Sequence, residues 1–230
     1  MRAHWLSDLT LLDSYVLKDE SLHHLVNVIR IEVGEELLLL NGKGLQILTV
    51  VDAIAKRELR LKFKSEIPAE RKYVFDLALG MPKRDAFELC LKQAAELGFR
   101  KIYLIRSAYS QMKAPEMDRM EKLLVSALEQ SNASFMPEIE EVKWESIPWS
   151  HYHSALLLDS QTSIKKPVFD SAPTSPHLLI VGPEGGFSPE ELKYLHSQNQ
   201  VKVVNLPTPI LRTPTALAAG AGIMLESLLK

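Results

Sequence analysis

The 230-residue chain carries 27 Lys and Arg against 29 Asp and Glu, a net charge of −2, and 46% of its residues are hydrophobic. That balance is in the ordinary globular range and excludes a uniformly basic coat, so any nucleic-acid contact must come from a local face on which cations gather. Its one cysteine, Cys90, excludes an internal disulfide or a thiolate metal cluster, and its neighbours Leu89 and Leu91 mark it as a small buried hydrophobe. Met1, Arg2, Ala3, His4 and Trp5 open no long apolar segment, and the most apolar C-terminal run is broken by Glu226. A reducing, cytoplasmic setting is expected, with no membrane and no metal.

In chain order, Leu22, Leu25, Val26 and Ile29 have helical spacing around His23 and His24. Glu36 to Leu40 and Leu45 to Val51 flank the turn signal Asn41-Gly42, which predicts a β-hairpin. Leu59, Leu61 and Phe63 then alternate with Arg60, Lys62 and Lys64, predicting a strand with one buried and one cationic face in a small antiparallel barrel. Pro68 breaks the pattern within Ser65 to Lys72, where a linker separates two domains, 1–70 and 71–230. From there strands and helices alternate. Val74 to Leu79, Ile102 to Ile105, Ala155 to Leu158, Leu178 to Val181 and Val201 to Leu206 are expected as strands, with Asp85 to Leu97 and Met117 to Gln130 as helices. An α/β domain with a mostly parallel sheet follows from that alternation. Lys165 to Pro176 is expected as a surface loop, and Glu138, Glu140 and Glu141 as a solvated acidic edge.

Two loops hold the chemistry. Val181 to Glu191 reads VGPEGGFSPEE: Ser188 suits a helix cap, Pro189 the first helical position, and Glu191 completes a capping box. The glycines before it let backbone groups approach a ligand at the carboxyl end of a sheet, although they equally suit a tight strand-to-helix turn with no ligand. The stretch lacks the spacing of a dinucleotide or phosphate loop, and Glu184 would repel a polyphosphate, so an uncharged or cationic ligand fits better. The second loop, Leu206 to Thr215, holds Pro207, Pro209 and Pro214, which restrict it to few conformations, with Thr213 and Pro214 as expected cap and first residue of the last helix. In that helix Ala216, Ala218, Ala219, Gly220, Ala221 and Gly222 point to close backbone packing, inside the chain or across a dimer.

Together these stretches resemble the SPOUT-class methyltransferases, and specifically the bacterial small-subunit ribosomal RNA uracil-N3 methyltransferase family. The resemblance rests on His23 to Arg30, Gly34 to Gly42, Lys92 to Gly98, Glu129 to Pro137, Gly182 to Phe187, and Ile210 to Thr213 with Ala216, in that order along nearly the whole chain. It implies a PUA-like RNA-binding β-barrel over 1–70, a trefoil-knotted SPOUT domain over 71–230, a homodimer, and S-adenosylmethionine as cofactor. The expected activity is methylation of uridine N3 in 16S ribosomal RNA of the small subunit. Gly182, Glu184, Gly185, Gly186, Leu206, Ile210, Leu211 and Arg212 are carried over as cofactor-binding residues. Arg212 is the expected catalytic group, because a guanidinium can stabilise negative charge on the uracil carbonyls; an ion pair at a strand end is its other reading. Arg30, Lys43, Lys83, Arg84 and Lys92 are the expected RNA contacts.

The chain departs from the family at Pro209, commonly Arg, and at Pro214, commonly Glu. Asn132, Ala133, Ser134 and Phe135 fill a segment that usually bears Arg, and Tyr109 falls near another expected Arg; its ring could stack on a base or simply pack at a strand end. These departures keep open an RNA-binding or ribosome-assembly factor without methyl transfer, and a methyltransferase with another RNA target or a small-molecule substrate.

Overall fold

The computed structural model describes residues 1–110, 112–159 and 175–228. They fall into two compact units, one of Met1–Glu70 with Val125–Met136, the other of Arg71–Leu124 with the chain from Pro137 onward. The chain therefore does not divide cleanly at the linker, because 125–136 packs with the first unit.

In the first unit, β1 (Arg2–Trp5), β2 (Ser14–Leu17), β3 (Glu36–Leu40), β4 (Gln46–Ile54) and β5 (Leu59–Ile67) form one sheet in the order β1-β3-β4-β5-β2. The expected hairpin is β3 with β4, paired Glu36 to Val50 through Leu40 to Gln46. Its turn is held by Asn41, whose Oδ1 accepts the Lys43 and Leu45 N–H groups at 2.8 and 3.2 Å. Pairing is not wholly antiparallel as expected: β1 runs parallel to β3. Neither β1 nor β2 was legible, since four residues are too few to show a period. Leu59 and Leu61 are buried as the alternation requires, but Phe63 is 38% exposed. Phe63 is in register with Leu61, and the β4–β5 register shifts only beyond it, between Thr49–Phe63 and Leu48–Ser65. Between β2 and β3, α1 (Asp19–His23) runs into a π-helical turn, His24–Val28, and buries Leu25. The 125–136 segment joins this sheet through Phe135, bridged to Lys43, and through the Met136 N–H, which donates to the Gly42 carbonyl at 2.8 Å. Gly42 has φ +66°, and a Cβ there would meet the Trp5 ring at 2.6 Å.

The second unit is built on six parallel strands: β6 (Phe75–Gly80), β7 (Lys101–Ile105), β8 (Glu138–Val142), β9 (Ser154–Leu158), β10 (His177–Val181) and β11 (Val201–Val204). Their order is β11-β9-β10-β6-β7-β8. The central pair, β6 and β10, is buried along its whole length, which explains why both are mostly apolar on both faces apart from Asp76 and His177 at their amino ends. At the edge, β8 is the stretch expected as a solvated acidic rim. It is acidic and largely exposed, and it is also a strand, because Glu138 to Val142 pair with Lys101 to Ile105. The helices are α2 (Arg84–Glu96), α3 (Met117–Ser131), whose residues from Val125 onward belong to the first unit, α4 (Pro189–His196) and α5 (Thr213–Leu228). Helix α2 ends at Gly98, φ +76°, as its sequence predicts. Helix α5 packs on β9, β10 and α2, and Gly220 permits it: a Cβ there would lie 2.7 Å from Leu179 Cδ1 and 3.0 Å from Leu158 Cδ1. On the opposite face of the sheet Ala78, Leu157, Leu178 and Ile180 pack with Trp144, Trp149, Tyr152 and Leu195. Each such fully buried large side chain contributes about 1.5–3 kcal/mol. Expected loop residues 165–174 lie outside the described residues.

Candidate cofactor site

The carboxyl ends of β9, β10 and β11 are neighbours in the sheet, so the segments that follow them converge. They enclose a cavity of about 270 Å³, near the lower end of small-molecule sites, roughly 300–1,000 Å³. Leu158 and Asp159 come from the end of β9, Val181 to Phe187 from beyond β10, and Val204 to Leu206 with Thr208 to Leu211 from beyond β11. Leu192 of α4 and Thr213 and Ala216 of α5 complete the lining. Open α/β sheets place ligands at this end.

Local sequence explains each wall. The capping box at the start of α4 is present: the Ser188 Oγ accepts the Glu191 N–H at 3.2 Å, and a Glu191 carboxylate oxygen accepts the Ser188 N–H at 2.8 Å. Gly186, φ +71°, closes a turn by donating its N–H to the Pro183 carbonyl at 2.9 Å. Gly182 lies under the Phe187 ring, where a Cβ would come within 3.0 Å. At Gly185 a Cβ would lie 2.8 Å from Tyr109 Cβ. Thr213 does not act as the simple helix cap expected of it. It is the first residue of α5, and its hydroxyl donates across to the Gly182 carbonyl at 3.1 Å, which joins the two loops.

Glu191 has a reach that the capping box did not suggest. Besides the Ser188 N–H, its carboxylate accepts the Ser107 hydroxyl at 2.7 Å, the Ala108 N–H at 3.1 Å and the Trp144 indole N–H at 3.0 Å. Burial pushes its pKa up, but these hydrogen bonds prevail and hold it below the usual carboxylate range. Glu184 accepts the Lys83 N–H at 3.2 Å, so a wall of the cavity is fastened to the start of α2. Cys90 is buried, and desolvation, with the nearby Glu184 charge, pushes its thiol up to about 12, the state of an inert core residue. At the amino ends of the strands, away from the cavity, buried Asp76 pairs with Arg100 at 2.6 and 3.0 Å and accepts the Tyr152 hydroxyl at 2.6 Å.

The RNA methyltransferase domain family matches residues 69–225, and its PUA domain family matches 17–64. The chain belongs to the RNA methyltransferase family. This methyltransferase is 30% identical over 207 residues to the ribosomal RNA small subunit methyltransferase E of Rickettsia conorii, covering 86% of this chain and 83% of that protein. It is 25% identical over 224 residues to the protein of the same name from Bacillus subtilis, covering 88% and 86%. Its fold is that of the ribosomal RNA small subunit methyltransferase E of Neisseria gonorrhoeae, solved bound to S-adenosyl methionine, with a TM-score of 0.83, 24% identity and 98% of each chain covered. A putative methyltransferase of Legionella pneumophila, solved with bound SAM, has a TM-score of 0.81 at 24% identity and 97% coverage of both chains.

In this methyltransferase the cavity gathers Gly182, Glu184, Gly185, Gly186, Leu206, Ile210 and Leu211. Arg212 is exposed beside them and is not part of the lining. Pro209 lines the cavity and Pro214 is buried. The expected RNA contacts are divided between the two units. Arg30 and Lys43 are exposed in the first unit, Lys83 and Arg84 are exposed in the second at the start of α2, and Lys92 is half-buried within α2. Sequence reasoning missed Ser107, Ala108 and Trp144, which meet Glu191 only through the tertiary fold. No described helix is long and apolar enough to cross a membrane, and no metal-binding cluster occurs among the described residues.

Proposed function

We propose that this chain methylates N3 of a uridine in small-subunit ribosomal RNA, using S-adenosylmethionine held between the Gly182–Phe187 and Leu206–Arg212 loops. The cavity at the ends of β9, β10 and β11 carries this reading. Its donor set fits the cofactor. Leu158, Val181, Leu206, Ile210 and Leu211 offer apolar surface to an adenine, the glycine loop offers bare backbone, and the negative charge of Glu184 in the lining favours a cationic ligand over an anionic one. When bound, the group supplies a methyl already activated by its positive sulfur. The chain must then orient the uracil in line and assist loss of the N3 proton. Arg212, exposed at the rim, is the group proposed to stabilise negative charge on the uracil carbonyls.

In this reading 1–70 is a PUA-like RNA-binding domain and 71–230 a trefoil-knotted SPOUT methyltransferase domain. Arg30, Lys43, Lys83, Arg84 and Lys92 contact RNA, and the protein acts in the cytoplasm as a homodimer. Calorimetric titration with S-adenosylmethionine, followed by methyl transfer to unmodified small-subunit RNA or particles, tests it; binding with transfer supports the enzyme, and no binding even with RNA present overturns it. A second reading, an RNA-binding assembly factor without transfer, is favoured by Pro209, which occupies the cavity wall where the family commonly has Arg. Binding without transfer would favour it.

A further inference from the structure

Tyr109 belongs to the loop that follows β7, and it lies outside the cavity lining although its Cβ packs against Gly185 of the cavity wall. Nearly half of the residue, 47%, stays exposed, so the ring has surface open to a ligand beside the cavity wall. The loop that presents it is not free to move away. The Ser107 hydroxyl and the Ala108 N–H both end on the Glu191 carboxylate, and the Ser107 and Ser110 groups close the turn on themselves at 3.0 and 3.1 Å. Glu191 also completes the capping box of α4 by accepting the Ser188 N–H, so the Tyr109 loop and the end of the glycine loop hang from one carboxylate. Exposed Arg106, three residues earlier, makes no side-chain hydrogen bond or ion pair among the described residues.

A fixed, half-exposed aromatic ring, with an exposed arginine three residues earlier in the same segment, suits an unstacked nucleobase and its phosphate. We propose that Tyr109 is the platform on which the target uracil stacks, with Arg106 contacting the adjoining phosphate, and that Glu191 positions this platform against the cofactor loop. The proposal rests on the RNA-methyltransferase reading for its substrate. It differs from a purely structural role for Tyr109, in which the ring only covers Gly185.

The test has two arms. In the first, Tyr109→Ala lowers kcat/KM for RNA about tenfold, which corresponds to ~1.4 kcal/mol and lies within the range of base–aromatic stacking. Its S-adenosylmethionine affinity by calorimetry stays at the wild-type value, and Tyr109→Phe, which keeps the ring, restores turnover. The second arm needs no turnover. Wild-type protein binds a short single-stranded ribonucleotide carrying one uracil on an otherwise abasic backbone about tenfold more tightly than the fully abasic one, and Tyr109→Ala binds both alike. Wild-type kcat/KM in Tyr109→Ala overturns the platform, as does a wild-type protein that does not distinguish the two ribonucleotides. If the wild-type protein transfers no methyl, the enzymatic reading fails while the second arm still decides the platform.

Discussion

The Thr213 hydroxyl donates to the Gly182 carbonyl at 3.1 Å, so the first residue of α5 is fastened to the first residue of the loop beyond β10. A single neutral hydrogen bond of this kind contributes about 0.5–1.5 kcal/mol. Its larger effect is to hold both loops of the cavity in one arrangement, which reduces the ordering cost of binding. Thr213→Val keeps the shape and removes the donor. Calorimetry should show S-adenosylmethionine affinity several-fold weaker, with Thr213→Ser close to wild type. Unchanged affinity in the Val variant would confine the bond to a packing role.

Gly185 gives a sharper contrast. A Cβ there would lie 2.8 Å from Tyr109 Cβ, closer than side-chain atoms approach without a shift, and the loop containing Tyr109 is pinned by Glu191. Gly185→Val should therefore move the glycine loop instead, costing about 1–3 kcal/mol in stability as overpacking does. Binding of S-adenosylmethionine should drop at least tenfold while far-ultraviolet circular dichroism stays that of a folded chain. Retained affinity would remove Gly185 from the proposed site.

The two loops were legible in the sequence because their signals are local: Ser188, Pro189 and Glu191 specify a helix start within four residues, and the structure realises that capping box. What stayed hidden depends on distance along the chain. The Ser107 hydroxyl meets Glu191 across 84 positions, and no spacing rule connects them. Short strands such as β1 and β2 gave no period, and β8 was masked by its glutamates, which face solvent from an edge strand. Phe63 keeps the register of Leu61 and is still 38% exposed, because alternation predicts a face of the strand and not how well that face is covered.

The Asp76–Arg100 pair anchors the amino ends of the strands. Asp76 is fully buried and holds both the guanidinium and the Tyr152 hydroxyl, and its hydrogen bond raises the Arg100 pKa above the ordinary value. Removing one partner of a buried pair strands the other charge, at a cost of roughly 3–5 kcal/mol. Arg100→Ala should therefore lower the urea midpoint sharply. Asp76→Asn, which leaves no buried charge and allows the partly exposed Arg100 to turn to solvent, should cost less. Equal losses would show that the hydrogen-bond geometry, and not the buried charge, sets the penalty.

Glu191 makes the stability of the second unit depend on acid. Its folded-state pKa is depressed, so the carboxylate's contribution is complete above the unfolded value, about 4.3, and is lost as pH falls through the folded one. Glu191→Gln keeps the size but loses the charge that strengthens its hydrogen bonds from Ser188, Ser107, Ala108 and Trp144. The group is partly open to solvent, which limits the expected cost at pH 7 to about 1–2 kcal/mol. Denaturation across pH 7 to 3 should show the gap between wild type and variant narrowing on the acid side. A gap that is constant with pH would mean that the shape of the carboxylate, and not its charge, holds the Tyr109 loop.

Helix α5 carries two glycines with opposite surroundings, and the difference tests the proposed homodimer. Gly220 is buried, with Leu179 and Leu158 where its Cβ would go, whereas Gly222 is exposed and a Cβ there would meet nothing within 4 Å. Glycine inside a helix costs about 1 kcal/mol relative to alanine. In an isolated chain Gly222→Ala should therefore stabilise by about that amount, while Gly220→Ala should gain little because the leucines must give way. If a second subunit covers this face of α5, Gly222→Ala should leave the fold intact and Gly222→Trp should shift the protein from dimer to monomer in sedimentation equilibrium. A dimer that survives Gly222→Trp places the subunit contact elsewhere on the chain.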